Sequence, residues 1–320
     1  MAKDPAPIRI GHLSTVYHTA FLLRGSELMG RHGLRAAWKL FASGPDIISA
    51  MQRGELDLGY IGLPPVIIGI GSGLSLACIA GGHVEGTVMV AGPGVRTLSE
   101  CGSMPAFLSQ FTGKAIGTPP LGSIHDVIVR ELLREHEFPD ITVKNYPWAD
   151  FLSDALVSGE IAGAAGTPAL AVTARRYGNA RLVAAPDRLW PFNPSYGIVV
   201  MRGMADGQDL LLRFLAAHEE ACEWIRHDPG ACARIVAATT GMADEGFVRE
   251  TYRISPKYCA ALPPEYIAST MKFVAPLNAL GYIPRPVREE EIFDRSLIEQ
   301  VHPGPHHYGA GIGSLSSSLP

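Results

Sequence analysis

Four histidines fall where short apolar runs give way to helical periods. They are His12, His18, His83 and His125, four of the 11 histidines in the chain. Imidazole rings from separate loops can bind a metal ion, donate hydrogen bonds to an anionic or heteroaromatic ligand, or make binding depend on pH. Because a single such histidine usually caps only a local backbone group, we expect at least two of the four to line a cleft. If a metal binds, its ligands are expected among these four.

The turn at residues 120–125, with the sequence Pro-Leu-Gly-Ser-Ile-His, is a second candidate site. A small turn that feeds a helix aims backbone N–H groups and the positive end of the helix dipole outward, which suits a sulfonate, carboxylate or phosphate. The alternative is that Gly122 and Ser123 only turn the chain and cap the helix. Trp148 follows a predicted strand and offers an aromatic wall, with ordinary core packing as the competing interpretation.

No pattern for nucleophilic catalysis occurs in the sequence. It has no G-x-S-x-G elbow, no phosphate-binding P-loop and no Rossmann G-x-G-x-x-G after a strand. The five cysteines are odd in number and lack C-x-x-C spacing, so buried free thiols are expected rather than a disulfide framework or structural zinc. We expect no cofactor.

Composition and charge exclude two classes of partner. The net charge of −4 and the scattered lysines and arginines give no electrostatic footprint for nucleic acid or anionic lipid. Residues 58–82 carry no charge, but they contain Pro64-Pro65 and seven glycines, which argues against a membrane span. A buried strand, helix and strand explain this stretch better.

The elements that must position these residues alternate along the chain. Apolar runs at 8–13, 34–41, 57–61, 74–80 and 87–91 predict strands, with helices at 17–31, from 44 and at 64–71. The pattern restarts near residue 95, with strands at 114–118, 141–146, 161–165 and 181–184 and helices at 124–136, 148–158 and 168–177. A return strand at 196–201 precedes helices at 209–227, 229–239, 245–252 and 264–280. We expect the last forty residues to be irregular or mobile, and His306-His307 to be disordered or folded over a cleft.

Several of these segments resemble one protein family. Residues 54–62, Gly-Glu-Leu-Asp-Leu-Gly-Tyr-Ile-Gly, resemble the G-x-L/V-D-F/L/I-G strand of ABC-transporter solute-binding proteins for nitrate, sulfonate, taurine and thiamine-pyrimidine precursors. Residues 113–117 are similar to the G-K-x-I-G strand that opens the second lobe of that family, and Gly122-Ser123 begins the following helix. Residues 159–163 are similar to a second signature but carry Ala162 where aspartate is usual, which argues against a cationic ligand. The resemblance covers residues 8–280.

The resemblance implies an α/β, two-lobed, type II periplasmic-binding-protein-like fold, in which two mixed sheets flanked by helices are joined by a hinge of two crossing strands. The expected division is residues 7–92 plus 196–300 for the first lobe, 93–195 for the second, and 301–320 for a Gly/Ser-rich tail. The implied function is capture of a small anionic organic molecule between the lobes for an ABC permease, without chemistry. The alternative is a cytoplasmic enzyme on the same fold, similar to thiamine-pyrimidine synthases or chorismate dehydratases.

Ligands of open α/β sheets bind outside the carboxyl ends of strands. On that basis the predicted ligand-binding residues are His12, Tyr17, His18, Gly62, Leu63, His83, Gly122, Ser123, His125, Trp148 and Thr167. Relatives of this shape are usually monomers, and we expect a monomer. Because residues 1–7 carry no secretory signal pattern, we expect a periplasmic location if a signal has been removed, and otherwise a cytoplasmic one.

Overall fold

The computed structural model describes residues 7–203 and 207–309 of the chain. Ten strands occur in these residues, and they follow the apolar runs of the sequence. Their bounds are β1 Ile8–His12, β2 Ala36–Leu40, β3 Leu58–Ile61, β4 Leu76–Val84, β5 Val88–Ala91, β6 Ala115–Thr118, β7 Thr142–Asn145, β8 Gly163–Gly166, β9 Arg181–Ala184 and β10 Pro194–Met201.

Helices separate most of the strands and then form the chain after residue 207. The first ten are α1 Thr19–Gly25, α2 Leu28–Arg31, α3 Gly44–Gln52, α4 Leu63–Gly71, α5 Leu98–Cys101, α6 Met104–Leu108, α7 Ile124–Glu135, α8 Phe151–Val157, α9 Pro168–Tyr177 and α10 Pro186–Leu189. The others are α11 Gln208–His227, α12 Pro229–Thr240, α13 Glu245–Ile254, α14 Pro264–Met271, α15 Val274–Ala279, α16 Glu289–Ile292 and α17 Ile298–Val301. A 3₁₀ turn covers Ser109–Phe111.

The strands form two five-stranded mixed sheets of the same design. The first has the order β2-β1-β3-β10-β4 and the second the order β7-β6-β8-β5-β9. In each sheet three parallel strands are followed by one antiparallel strand that arrives from the other half of the chain. All residues of β3, β4 and β5 are buried, as expected for strands covered on both faces. The predicted two-lobed α/β fold is confirmed.

The chain crosses between the two sheets twice. Residues 85–87 connect β4 to β5, and residues 185–193, which include α10, connect β9 to β10. The two crossings are bonded to each other, because the Glu85 N–H donates to the Asn193 carbonyl at 2.7 Å and the Phe192 N–H donates to the Glu85 carboxylate at 3.1 Å. Lys257 pairs with the same carboxylate at 2.6 Å. This double crossing lies where the hinge is expected, but its passages are a short loop and a segment with α10 rather than two strands.

The second sheet begins earlier in the chain than the sequence predicts. Val88–Ala91 pairs with β8 and β9 of the second sheet, so placing residues 88–92 in the first lobe is wrong. The helices after β10 also serve both halves: α11 and α12 pack on α1, whereas α13 packs on α9. An apolar run in the sequence predicts a strand, but it does not predict which distant strands will pair with it.

The uncharged stretch at 58–82 forms β3, α4 and much of β4, in the order expected. No described helix combines the length and apolar character needed to cross a membrane. Two predicted helices are each broken into a pair. Residues 17–31 divide into α1 and α2 where Ser26 adopts extended backbone, with φ of −123° and ψ of 176°. Residues 264–280 divide into α14 and α15.

The C-terminal segment is packed rather than mobile as far as residue 309. It contains α16 and α17 and ends on Tyr308, whose ring is buried and whose hydroxyl donates to the carbonyls of Cys259 and Ala261 at 2.6 and 3.1 Å. The His306 ring contacts Tyr308 and Phe192. The expectation of disorder at His306-His307 is therefore wrong, and the rest of the predicted tail, residues 310–320, lies outside the described residues.

Candidate functional site

A cavity of about 600 Å³, counted with its opening to solvent, lies between the two sheets. Most of its walls are the loops that follow the carboxyl ends of β1, β2 and β3 on one side and of β6, β7 and β8 on the other. The lining residues are Leu13, Ser14, Thr15, Tyr17, His18, Ala42, Ser43, Gly44, Gly62, Pro65, Pro119, Pro120, Ser123, Ile124, His125, Ala149, Thr167 and Ser195.

Five of the described helices have their N-caps on the lining of this cavity, and one of them is the short α1, whose N-cap is His18. Ser43 and Gly62 are the N-caps of α3 and α4 in the first lobe, and Ser123 and Thr167 are the N-caps of α7 and α9 in the second. Helix N-termini carry partial positive charge, so several of them around one space favour an anion there. Prolines in the first turns of α3, α4 and α9 remove some N–H donors, and α7 lacks such a proline.

Within the described part of the chain, the cavity lining contains two histidines but no acidic residue, lysine or arginine. A cation would therefore find no carboxylate partner, and an anion would meet backbone dipoles and hydroxyl groups instead. Recognition here would rest on dipoles and hydrogen bonds.

The turn that ends in Ser123 is fixed from behind by Asp126, which is fully buried. The Asp126 carboxylate accepts the Gly122 N–H at 3.0 Å and pairs with Arg130 at 2.8 Å. Asn145 and Tyr282 donate to the same carboxylate at 2.8 and 2.9 Å. The Ser123 hydroxyl in turn accepts the Asp126 N–H at 3.3 Å. Gly122 has a φ of 77°, a left-handed conformation that glycine adopts without strain. The N-terminus of α7 is thus held rigidly at the cavity wall.

Several polar groups at the cavity are already paired within the protein, and others are not. The Tyr17 hydroxyl bonds the Ser195 hydroxyl at 2.7 Å, and His125 Nδ1 bonds the Thr87 hydroxyl at 3.0 Å. Among the described residues, the Thr167 hydroxyl makes no capping bond and the buried His18 Nδ1 has no partner. Hydroxyl and imidazole groups of this kind bind by hydrogen bonding.

Burial keeps both cavity histidines neutral near pH 7. It lowers the pKa of His125 to about 4. Burial is also the main reason that the pKa of His18 lies well below its usual value, with a smaller contribution from nearby His83, His12 and His218. These rings therefore offer a neutral donor or acceptor rather than a positive charge.

Six of the eleven predicted binding residues lie together on the cavity wall. They are Tyr17, His18, Gly62, Ser123, His125 and Thr167. Leu63 is fully buried in the core, and Gly122 and Trp148 lie outside the lining, although Ala149 beside Trp148 is part of it. Whether any of them contacts a ligand stays a prediction.

His12 and His83 are buried away from the cavity lining. His12 bonds the Leu13 carbonyl through Nδ1 at 2.9 Å, and His83 bonds the Ser255 carbonyl through Nε2 at 2.7 Å. Of the four histidines, His18 and His125 line the cavity, and His12 and His83 lie near His18 behind its wall. The one metal-ligand group found among the described residues contains Glu219, Cys259, His302 and His307 instead.

A family model for the NMT1-like family matches residues 1–240 of the 320 in the chain. The chain belongs to the NMT1-like family. Curated relatives from Brucella abortus and Brucella suis, named as binding proteins, are 38% identical to this NMT1-like chain over 61 residues. That alignment spans 18% of the chain and 19% of each relative.

Solved structures of binding proteins share the whole architecture of the NMT1-like chain at low identity. A ligand-binding component of an ABC-type import system from Staphylococcus aureus, with zinc bound, has a TM-score of 0.78 at 14% identity, covering 94% of this chain and 100% of its own. The alkanesulfonate-binding protein of Xanthomonas axonopodis, bound to MOPS, has a TM-score of 0.76 at 19% identity, covering 92% and 100%. The periplasmic nitrate-binding protein of Synechocystis has a TM-score of 0.74 at 13% identity, covering 92% and 88%.

The predicted ligand-binding residues supply six of the 18 residues that line the cavity of this NMT1-like protein. Ser43 and Gly44 carry a readable signal, because Ser-Gly-Pro-Asp directly follows a predicted strand and is typical of a helix start. Ser195 carries none, because it reaches the cavity only through the second crossing. The backbone of Ser14 and Thr15 follows β1 directly and could have been included with its loop.

Proposed function

We propose that this protein is the solute-binding component of an ABC importer, which closes around a small anionic organic molecule and presents it to a membrane permease. The observation that carries the proposal is the cavity between the lobes, free of charged side chains and faced by the N-termini of α3, α4, α7 and α9. Such a site binds an anion through dipoles and hydrogen bonds without a buried counter-ion.

Closure follows from the way both lobes share the site. Ser43 and Gly62 come from the first lobe, and Ser123 and Thr167 come from the second. A ligand that bonds both pairs makes all of its contacts only when the lobes are together, so binding stabilises the closed arrangement. The lobes already meet beside the cavity, since a Cβ on Gly62 would stand 3.5 Å from Ile124.

The proposed ligand class is sulfonate-like or nitrate-like. The absence of carboxylates from the described lining disfavours amines, and the Ala162 position agrees with this preference. Two of the similar structures are an alkanesulfonate-binding and a nitrate-binding protein, which supports the same class.

Binding without chemistry is the further part of the proposal. The titratable groups on the lining are Tyr17, His18 and His125, and burial moves each pKa away from neutrality. A general acid or base works best with a pKa near the operating pH, so these groups suit recognition better than proton transfer. We propose a monomer that acts outside the cytoplasmic membrane, beside its permease.

The test uses Ser123→Asp, which keeps a good N-cap and adds one negative charge to the cavity wall. MOPS, ethanesulfonate and nitrate are titrated separately into wild type and variant by isothermal calorimetry, in a buffer basic enough to deprotonate the MOPS amine. We expect at least one of these anions to bind the wild type and to lose more than about 100-fold affinity in the variant, because like charges at close range cost several kcal/mol.

The matched control is Ser103→Asp, which alters the N-cap of α6, away from the cavity. It should bind the same anion with wild-type affinity. Failure of all three anions together with binding of a similar-sized amine would refute the anionic class. Equal affinity in Ser123→Asp and wild type would place the site elsewhere.

A further inference from the structure

A second group of ligating side chains lies on the first lobe, away from the cavity. Its members are Glu219 on α11, Cys259 in the segment beside β4, and His302 and His307 in the C-terminal segment. One ligand atom from each lies within 4.8 Å of the others. None of the four residues lines the cavity between the lobes.

The distances match those between ligands of one tetrahedral ion. Cys259 Sγ is 3.8 Å from His302 Nε2 and 3.9 Å from His307 Nδ1. Ligands at about 2.3 Å for sulfur and about 2.0 Å for nitrogen stand at comparable separations around a shared metal. The His307 N–H also donates to Cys259 Sγ at 3.3 Å, a bond that stabilises a thiolate. Cys259 is fully buried, and the His302 side chain is 7% exposed.

Glu219 is placed to orient a ligand rather than to be one. One of its carboxylate oxygens accepts the Ala260 N–H at 2.8 Å, and the other lies 3.3 Å from Arg226 and 3.4 Å from His302 Nδ1. A carboxylate on the far nitrogen of an imidazole fixes the ring and makes the near nitrogen a better metal ligand. Since Arg226 already pairs with this carboxylate, Glu219 remains in the outer shell.

We propose that Cys259 Sγ, His302 Nε2 and His307 Nδ1 bind one divalent ion of the zinc class, with Glu219 holding His302. One thiolate with two imidazoles selects zinc and its neighbours over magnesium or calcium, which prefer oxygen ligands. His302-x₄-His307 has spacing common among zinc sites. In the metal-bound form, His302 Nε2 gives up its present contact with the Pro305 carbonyl at 3.1 Å.

The ion would fasten the C-terminal segment next to the hinge. Tyr308 already bonds the carbonyls of Cys259 and Ala261. The segment that contains Cys259 runs beside β4. The Cys259 N–H donates to the Gly82 carbonyl, and the Gly81 N–H donates to the Ala260 carbonyl. Because β4 leads directly into the first crossing, the metal would stabilise the frame on which the hinge turns.

The experiment is a titration of Co²⁺ into the metal-free full-length protein, followed by absorption spectroscopy. A thiolate bound to Co²⁺ gives a charge-transfer band in the near ultraviolet, and tetrahedral Co²⁺ gives strong visible bands. We expect one equivalent to produce both sets of bands and Zn²⁺ to displace it. Cys259→Ser should remove the charge-transfer band, and the exposed His307→Ala should weaken binding by about tenfold or more.

Two matched controls exclude binding by other groups. His306→Ala removes the adjacent histidine, and Cys101→Ser removes a half-buried thiol of the second lobe; both should bind Co²⁺ as the wild type does. Circular dichroism of His307→Ala confirms its fold, so a loss of binding there reports on the ligand. A charge-transfer band that survives in Cys259→Ser, or equal losses in His306→Ala and His307→Ala, would overturn the proposed site.

Discussion

The Thr167 hydroxyl is the clearest single group available for a ligand at the cavity. It sits at the N-cap of α9 without bonding the helix, so its removal costs the fold little. We expect Thr167→Val to weaken binding of the anion identified by calorimetry about 10- to 100-fold, the effect of one hydrogen bond to a charged group. The melting temperature should stay close to that of wild type.

Thr173→Val is the matched control on the same helix. Its hydroxyl donates to the Ala169 carbonyl at 3.0 Å, and the residue lies outside the cavity lining. This variant should bind the anion as tightly as wild type does. Indistinguishable affinities for Thr167→Val and wild type would remove Thr167 from the site.

At the residue scale, the sequence predicts those cavity residues whose positions depend only on local structure. Gly62, Ser123 and Thr167 are N-caps after strands, and a strand, a turn and a helix start are all visible in neighbouring residues. His12 ends β1 and His83 lies within β4, and each packs against aromatic rings from more distant parts of the chain, His12 against Trp38 and His83 against Tyr258. Those partners are set by tertiary structure, which local spacing does not reveal.

At the element scale, the start of α7 depends on one buried carboxylate. Asp126 bonds Gly122 in the turn, Arg130 one helical turn later, Asn145 at the end of β7 and Tyr282 after α15. Tyr282 belongs to a segment that also packs on α4, since Ile283 lies against Gly71. Asp126 therefore ties the cavity turn to both lobes.

We expect Asp126→Ala to lower the free energy of unfolding by about 3–5 kcal/mol, because it removes the counter-ion of Arg130 and the partner of the Gly122 N–H and the Tyr282 hydroxyl. Tyr282→Phe removes only one donor from the same carboxylate and should cost about 1 kcal/mol. Urea unfolding of the three proteins measures both values. Equal losses for the two variants would show that the carboxylate is not the centre of this network.

The element boundaries that sequence missed share a physical cause. Periodicity at 17–31 predicts one helix, yet Gly25 packs so closely against Thr239 of α12 that a Cβ there would collide at 1.8 Å. That contact and the extended Ser26 end α1 and start α2 as a separate turn. By contrast, α9 and β9 match their predicted bounds, because proline and glycine delimit them locally.

At the scale of the whole molecule, the two sheets exchange one strand each, and the crossings sit beside the cavity. The alternation of strands and helices can be predicted from the apolar runs in the sequence. The order of the strands within each sheet depends on how those runs pair in the folded protein. Glu85 and Phe192, both with positive φ, mark the crossings, and their mutual bonding holds the two passages together. Hinge position is thus a property of the assembled sheets.

The whole molecule should also lose stability in mild acid, because several buried histidines are held neutral. Burial lowers the pKa of His125 and His218 to about 4 and of His83 to about 3, against a usual value of 6.5. Between pH 6.5 and 4 the unfolded chain binds protons that the folded chain does not, so stability is complete above pH 6.5 and falls as the pH drops. Each such histidine contributes a slope of about 1.4 kcal/mol per pH unit.

His83→Gln tests this assignment, because a glutamine amide can still donate to the Ser255 carbonyl that His83 Nε2 bonds. The free energy of unfolding is measured in urea at pH 7, 6, 5 and about 4. It should fall less steeply with pH in His83→Gln than in wild type, and the difference in slope should be about the contribution of one histidine. The exposed His227→Gln, which alters only a surface contact with Glu223, should keep the wild-type slope. If His83→Gln and wild type lose stability in parallel, His83 is protonated without cost in the folded protein, and the acid sensitivity belongs to other groups.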